Sequence, residues 1–259
     1  MHGAGADTLT PDQVGVPFVL MRGGTSKAVF LSGSDLPSEP LARDRVILAL
    51  FGSPDPRQID GLGGADLLTS KLAIIDPPSH SGADLDFTFG QVSITEPVVD
   101  YDINCGNISA AVAAYAVDNH LVEPAEPTTT VRINNTNTGT VLVAEVPVVA
   151  GRAAVAGETA IDGVPGTGAG ISLDFKRTAG ASTGALLPTG NELDTLDTEL
   201  GPVEASIVDL ANLCVFLEAP VVGMRGNEGP GEITDLQFGS IASVKAAAAK
   251  VLDLPTDAL

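Results

Sequence analysis

Apolar and polar residues alternate along several short segments, which is the pattern of strands with one buried face. Glycine, proline and β-branched residues are frequent, and they favour turns and short strands over long helices. The predicted strands are LDFTFGQVSI (85–94), two strands around a turn near Asn137 and Gly139 in VRINNTNTGTVLVAEVPVV (131–149), ISLDF (171–175), VEASIVDL (203–210) and the apolar LCVFLE (213–218).

Three other segments have apolar residues at helical spacing and a high alanine content. They are ARDRVILALFG (42–52), ISAAVAAYAVDNHL (108–121) and IASVKAAAAKVLDL (241–254). Few helices among many strands predict an α+β fold with mainly antiparallel sheet. A lobe boundary is predicted near 180–190, which gives one lobe over residues 1–184 and another over 185–259.

Glycine-rich turns lie between these elements and resemble nucleotide loops at first sight. The segment DGLGGAD (60–66) places Asp66 where a dinucleotide-binding motif requires its third glycine, and no segment has the spacing of a phosphate-binding P-loop. The glycine pattern therefore excludes both nucleotide-binding motifs.

The formal net charge of −20, from 33 acidic and 13 basic residues, indicates a strongly negative surface. Such a surface repels phosphate backbones, which argues against a nucleic-acid partner. An excess of carboxylates over lysines is also typical of proteins adapted to high salt, where screening removes the self-repulsion. An adaptation to high salt and an ordinary acidic protein both remain open.

Cysteine and histidine are too sparse for a metal site, because two cysteines and three widely spaced histidines form no cluster of zinc ligands. No apolar run is long enough to span a bilayer. The N-terminal residues 1–15 lack a basic region followed by an apolar stretch, so we expect no secretory signal and a cytoplasmic protein.

Cys105 lies in DINCGNISAAVAAYAV (102–117), where a polar strand end becomes an alanine-rich helix. The positive end of the helix dipole and free backbone N–H groups there favour a thiolate that can transfer protons. The N–H groups of Gly106 and Asn107 would also bind a carboxylate. A buried structural cysteine is the alternative for Cys105, and core packing is the interpretation for Cys214.

Lys71 lies where the glycine-rich turn runs into an apolar strand. A lysine there either lies at an exposed strand edge or is partly desolvated, and desolvation favours the neutral amine that a general base requires. Arg22, followed by two glycines, Thr25 and Ser26, has the donors of an anion-binding turn.

Six segments, taken in order along the chain, resemble the PrpF family. They are MRGGTSKAVF (21–30), DGLGGADLLTSKLAII (60–75), DINCGNISAAVAAYAV (102–117), DGVPGTGAGISLDF (162–175), LLPTGN (186–191) and VDLANLCVF (208–216). This family is similar in fold to diaminopimelate epimerase. It includes isomerases of 2-methylaconitate, aconitate and 3-methylitaconate and a tautomerase of 4-oxalomesaconate.

The resemblance implies two pseudo-symmetric lobes, each a mainly antiparallel sheet around a central helix, with a small carboxylate substrate in the cleft between them. It implies no metal, flavin or pyridoxal cofactor, and a homodimer stays open. Lys71 and Cys105 match the residues expected to move the proton. The residues matching substrate-binding segments are Arg22, Thr25, Ser26, Gly106, Asn107, Ser109, Gly190, Asn191 and Asn212.

Members of this family continue past the position that matches Leu259, so the resemblance also implies a truncated second lobe that lacks its own central helix. The sequence as a whole predicts a cofactor-independent isomerase of small unsaturated di- or tricarboxylic acids that acts by allylic proton transfer. Two alternatives remain: a catalytically inactive homologue that binds carboxylates or a partner, and an amino-acid racemase or epimerase. The racemase would need a second cysteine, for which Cys214 in its strand is poorly placed.

Overall fold

The structure is a computed structural model that describes residues 13–255. The segment expected to lack a secretory signal therefore lies largely outside the described residues. The larger of two sheets has nine strands: β1 (Val19–Gly23), β2 (Ser26–Ser32), β3 (Lys71–Asp76), β4 (Leu85–Val92), β5 (Val99–Asp100), β6 (Thr128–Asn135), β7 (Thr140–Val149), β8 (Arg152–Ala153) and β9 (Ser172–Asp174).

The smaller sheet has three strands, and three α-helices accompany the two sheets. The strands are β10 (Asp194–Thr198), β11 (Gly201–Leu210) and β12 (Asn212–Phe216), and the helices are α1 (Pro40–Phe51), α2 (Gly106–Asp118) and α3 (Asp235–Val251). The predicted α+β class is confirmed, and each predicted strand and helix is present with shifted ends.

Capping residues explain why helices α1 and α3 begin earlier than predicted. Helix α1 begins two residues early because the Glu39 side chain accepts hydrogen bonds from the first backbone N–H groups and Pro40 suits the first turn. Helix α3 begins six residues before the prediction because Thr234 and Gln237 form a capping box. Gly239 follows this first turn, and glycine disfavours a helix interior, so the sequence prediction began the helix after it.

The larger sheet follows the order β1-β2-β3-β4-β6-β7-β8, with β5 beside β4 and β9 beside β7. Strands β2 and β3 are parallel, as are β4 and β6, whereas β1–β2, β3–β4, β4–β5 and β7–β8 are antiparallel. The predicted predominance of antiparallel pairing is therefore confirmed.

One face of the larger sheet packs on helix α1. The core of this face is formed by alternate residues of the central strands together with Ile47 and Phe51 of the helix, neither of which is accessible to solvent. The contributing strand residues are Val29, Leu31, Leu72, Ile74, Val92 and Val99.

Substituting Phe51 should reveal how much this core contributes to stability. Phe51→Ala removes a fully buried ring and is expected to lower the free energy of unfolding by about 3–5 kcal/mol. The matched control is Leu41→Ala in the same helix, because Leu41 is 71% exposed and its loss should cost less than about 0.5 kcal/mol. Urea denaturation of both variants measures the difference, and equal midpoints would contradict the described core.

The opposite face of the larger sheet packs on helix α2. The ring of Phe30 in β2 stacks on Tyr115 of the helix, with centroids 5.2 Å apart. The helix also packs against β1, β6 and β8, and most of its residues are buried. A helix that is apolar on nearly all sides is typical of one surrounded by the rest of its domain.

The chain divides into two compact units, Met1–Asn137 with Val141–Leu173, and Thr138–Thr140 with Asp174–Leu259. The predicted boundary after residue 184 falls inside the second unit, and the limits of the two lobes stay a prediction. In the second unit, α3 covers one face of the smaller sheet through Val244, Ala247 and Ala248. That this lobe is truncated and lacks a central helix of its own stays a prediction.

Cys214 is not a core residue, contrary to the sequence interpretation. It does lie in a strand, β12, but its side chain is exposed. Strand β12 is one of the two edge strands of the smaller sheet, and its residues alternate between exposed and half-buried because α3 covers only the face opposite Cys214. An apolar sequence therefore does not show that both faces of the strand are buried.

Candidate active site

Cys105 occupies the capping position that immediately precedes helix α2, as the sequence predicted. Its backbone is extended, with φ −135° and ψ 100°, and its side chain makes no capping hydrogen bond. The half-buried thiol lies 3.9 Å from the Oγ atom of Ser26, which is 1% exposed. The thiol is therefore held at the start of a helix that has no acidic residue in its first turn.

Three asparagines, Asn104, Asn135 and Asn137, hold the loop that leads to Cys105. The Oδ1 atom of Asn104 accepts hydrogen bonds from the Cys105 backbone N–H at 2.7 Å and from the Nδ2 atom of Asn135 at 2.8 Å. Asn137 donates from its amide to the carbonyl oxygen of Tyr101 at 2.8 Å. The position of the thiol is therefore set by strand β6 and the residues after it, as well as by helix α2.

Tyr101 anchors the start of the same loop. Its hydroxyl donates to Asp44 Oδ1 at 2.7 Å, and the Arg43 guanidinium lies 5.5 Å from the centre of its ring. Burial and the hydrogen bond to Asp44 raise the pKa of Tyr101. The phenol consequently stays protonated at neutral pH and keeps donating to helix α1, so its role in this arrangement is structural.

The turn between β1 and β2 packs against the N-terminus of α2. Asn107 donates from Nδ2 to the Oγ1 atom of Thr25 at 3.0 Å. A Cβ atom at Gly24, whose φ is +49°, would collide with the Asn107 side chain, so the close approach requires glycine. The exposed Arg22 guanidinium donates to the Gly24 carbonyl at 2.8 Å. Thr25, Ser26, Asn107 and Arg22 are therefore brought together around this helix end.

Ser109 lies within the first turns of helix α2 and is fully buried. Its hydroxyl donates to the Cys105 carbonyl oxygen at 3.2 Å, and its backbone N–H donates to the same oxygen at 3.1 Å. These contacts fix the helix start on Cys105, whereas the predicted contact between Ser109 and substrate stays a prediction.

Lys71 is buried, so the interpretation of an exposed strand edge is wrong. It begins strand β3, which lies between β2 and β4, and only 8% of the residue is exposed. Its ammonium nitrogen donates to Gln91 Oε1 at 2.7 Å and lies 5.2 Å from the centre of the Phe89 ring. The alternative of a partly desolvated lysine is the one that the structure supports.

Lys71 and Cys105 lie at the same end of the same sheet face. Side chains alternate between the faces of a strand, so Ser26 and Ala28 share the side of β2 on which Phe30 meets helix α2. Lys71 is paired with Ala28 in the neighbouring parallel strand and therefore points to that side too. The thiol contact to Ser26 places the start of helix α2 at this end of the strands.

The remaining predicted residues lie in the second compact unit. Gly190 has φ +79° in a turn, and Asn191 donates from Nδ2 to Asp194 Oδ1 at 2.8 Å on the surface. Asn212 is exposed at the first position of β12, opposite Leu210. Their predicted contacts with substrate stay predictions.

This first-unit site combines an amine and a thiol with several groups that favour anions. Backbone N–H groups in the first turn of a helix have no partner within the helix, and Arg22 adds a permanent positive charge nearby. An acid–base pair next to anion-binding groups is suited to moving protons on a carboxylate substrate.

The sequence profile of the family described as "PrpF protein" matches residues 13–257, nearly the whole chain. The chain belongs to the PrpF family. The resemblance of the six sequence segments is thereby confirmed.

Relatives in the PrpF family have names that refer to several unsaturated acids. The chain is 58% identical to 3-methylitaconate isomerase of Eubacterium barkeri over 222 residues, which are 86% of this chain and 58% of that protein. It is 48% identical to 4-oxalomesaconate tautomerase of Pseudomonas putida, over 83% of this chain and 59% of that protein. The 2-methyl-aconitate isomerase of Shewanella oneidensis is 38% identical, over 86% and 60% of the two chains.

A crystal structure of methylitaconate-delta-isomerase superposes with a TM-score of 0.79 at 54% identity. The match covers 93% of this chain and 63% of that one. The chain thus shares its fold with this PrpF relative, and it spans about three fifths of the length of the relatives that it matches.

Sequence reasoning missed two glutamines that hold the lysine end of this site. Gln58 is 1% exposed and bonds Ser53, the Ala65 backbone N–H and the Ser70 hydroxyl, which fixes the glycine-rich loop before Lys71. Gln91 binds Lys71 itself. The available signal was that Gln91 continues the apolar face of an alternating strand, where a polar residue needs a partner.

Residues 13–255 contain neither a membrane-spanning helix nor a cluster of metal-ligating side chains. No helix there is long and apolar enough to cross a bilayer. In the same range, no three or more His, Cys, Asp or Glu side chains come together in a group that could hold a metal ion.

Proposed function

We propose that this chain carries the proton-transfer site of a cofactor-independent isomerase that acts on small unsaturated di- or tricarboxylic acids. The observation that carries the proposal is the pair of a buried Lys71 and a helix-capping Cys105 at one end of one sheet face. The names of the PrpF relatives, which refer to methylitaconate, oxalomesaconate and methylaconitate, support this substrate class.

The proposed reaction moves one proton along an allylic system. The neutral Lys71 amine removes a proton from the carbon next to the double bond, and the electron pair delocalises through the alkene into a carboxylate. The Cys105 thiol then protonates the far end of the system, or the same carbon after bond rotation. Lys71 is left as an ammonium and Cys105 as a thiolate, and proton exchange with water restores both.

The negative charge that develops on the substrate needs fixed positive partners. In this proposal, Arg22 and the backbone N–H groups at Gly106 and Asn107 bind one carboxylate, and Thr25 and Ser26 add hydroxyl donors. Gly190, Asn191 and Asn212, which lie in the second unit, are also proposed to bind substrate.

Deuterium incorporation in heavy water tests the proposal, because exchange requires only the first half of the reaction. The chain is incubated with 3-methylitaconate, 2-methylaconitate, 4-oxalomesaconate and trans-aconitate in the presence of a metal chelator, and the acids are followed by proton NMR. We expect exchange at the allylic carbon of at least one acid.

Two other outcomes would replace this proposal. A thermal shift with trans-aconitate but no exchange with any acid would indicate a carboxylate-binding homologue without catalysis. Exchange at the α-carbon of proline or diaminopimelate, with none in the unsaturated acids, would indicate a racemase or epimerase.

We further propose that the protein works in the cytoplasm, without nucleic acid or membrane partners, and that the net charge of −20 is an adaptation to high salt. Size measurement in solution decides whether it forms the homodimer left open above.

If the net charge is an adaptation to high salt, lowering salt from molar to physiological concentration removes screening of the repulsion between carboxylates and should lower the melting temperature. A loss of about 1 kcal/mol corresponds to about 2–4 °C in a protein of this size. A melting temperature that does not change with the sodium chloride concentration would contradict the adaptation to high salt and support the alternative of an ordinary acidic protein.

A further inference from the structure

The side-chain amide of Gln91 has its orientation set by three neighbours. Its Nε2 atom donates to the carbonyl oxygen of Ser70 at 2.9 Å and to that of Leu67 at 3.2 Å. Two carbonyl acceptors require the NH₂ end of the amide, so the oxygen is left to face Lys71, where it accepts at 2.7 Å. If the amide were flipped, its oxygen would face the two carbonyl oxygens and its NH₂ group would face the Lys71 ammonium. Both arrangements are repulsive, so the flipped orientation is excluded.

On the two strands that pair with β3, no carboxylate shares the face of Lys71. One strand further on the same face, Asp100 of β5 is paired with Gln91, and its carboxylate accepts the backbone N–H of Asp102 at 2.8 Å. The residues that share the face of Lys71 on β2, β3 and β4 carry no charge: Ser26, Ala28, Phe30, Ser32, Ala73, Ile75, Leu85, Phe87, Phe89 and Gln91. At the start of α2 the titratable group is Cys105. Within the described residues, none of the four ion pairs between side chains includes Lys71.

The nearby charged side chains outside that face are engaged elsewhere. Lys27 lies on the other face of β2, and its ammonium approaches the glycine-rich loop near Gly64. Asp66 in that loop accepts the backbone N–H of Leu68 at 2.7 Å. Lys71 is thus held by a neutral acceptor and an aromatic ring.

We propose that Gln91 is a positioning residue for Lys71, and that its neutral amide oxygen holds the amine in place without the ion pair that would keep it protonated. The proposal rests on the proposed role of Lys71 as the base. A carboxylate at this distance would hold the nitrogen equally well but would favour the ammonium, which cannot accept a proton. The amide and the carboxylate have nearly the same shape, so charge is the property that distinguishes them.

Gln91→Glu tests the charge. An opposite charge within 4–6 Å typically shifts a titration by about 1–3 pH units, so the rising limb of the pH–rate profile for exchange should move upward by that amount. At a pH below the limb the rate should fall about tenfold for each unit of that shift, with a partial recovery in alkaline buffer. The control is Gln237→Glu, the same change at a half-buried position outside the candidate site, where glutamate also completes the capping box of α3, and it should leave the profile in place.

Gln91→Met tests the positioning without adding charge. It should lower kcat about tenfold while KM changes less than about twofold, because the amine is less often correctly oriented, and the rising limb should not move upward. If both variants lower the rate by the same factor at every pH, Gln91 is only structural and the proposal is overturned.

A second measurement follows Lys71 without any catalysis. In protein labelled with ¹³C at lysine Cε, the Lys71 signal is identified by its loss in Lys71→Arg, and its titration is followed by NMR. Gln91→Glu should move the midpoint upward by about 1–3 pH units relative to the unmodified chain. Gln91→Met should bring together the shifts of the two Hε protons, which differ only while the side chain is fixed.

These outcomes separate the two proposals. If no acid exchanges but the Lys71 midpoint moves in Gln91→Glu and its Hε shifts merge in Gln91→Met, the isomerase proposal fails and the role of Gln91 stands. An unchanged midpoint in a folded Gln91→Glu variant overturns the role of Gln91 whatever the activity. If Gln91→Glu does not fold, full kcat in Gln91→Met overturns it.

Discussion

Replacing Lys71 with methionine should slow allylic deuterium exchange by about 10²- to 10⁴-fold, the usual contribution of a positioned general base. Methionine is unbranched like lysine and apolar, so it should fill the site under Phe89 without leaving a buried charge. The loss should therefore appear in kcat and at every pH. A thermal melt close to that of the unmodified chain would show that the fold is intact.

The matched control for Lys71→Met is Lys245→Met. Lys245 is exposed on helix α3, so its replacement removes one positive charge outside the candidate site. Exchange by the control should match that of the unmodified chain. A Lys71→Met variant that exchanges at the normal rate would remove lysine from the mechanism.

Cys105→Ala should abolish isomerisation while leaving the fold intact, a loss again of about 10²- to 10⁴-fold. The side chain makes no capping hydrogen bond, so alanine removes little from the helix start itself. Cys105→Ser should retain only a trace of activity, because a hydroxyl can form hydrogen bonds but transfers protons poorly near neutral pH.

The exposed thiol of Cys214 provides the control for Cys105. Cys214→Ala removes a cysteine from strand β12 and should leave the rate of product formation unchanged. Product formation is measured by NMR for both variants with the acid that the unmodified chain turns over. Equal rates for Cys105→Ala and Cys214→Ala would end the acid–base role of Cys105.

The cysteine end of the site could be predicted from local sequence. A polar segment followed by alanine-rich, helix-spaced residues indicates where a helix begins, and Cys105 is at that beginning in the structure. The burial of Lys71 could not be predicted in the same way. A lysine before an apolar run fits an edge strand as well as a central one, and its partner Gln91 is 20 residues away in the chain.

The interpretation of Cys214 failed for a related reason. Every second residue of a strand faces the same side, and an apolar segment does not reveal which of its sides another element covers. Helix α3 lies on one side of the smaller sheet, and Cys214 points to the other. Burial therefore depends on packing that forms only when distant segments come together.

The exposure of Cys214 also affects how the protein has to be handled. An accessible thiol oxidises in air and joins two chains through a disulfide, and the product has the mass of a dimer. Chromatography or light scattering without a reducing agent would then report a covalent artefact as self-association. The same exposure makes Cys214 a convenient attachment point for a maleimide dye.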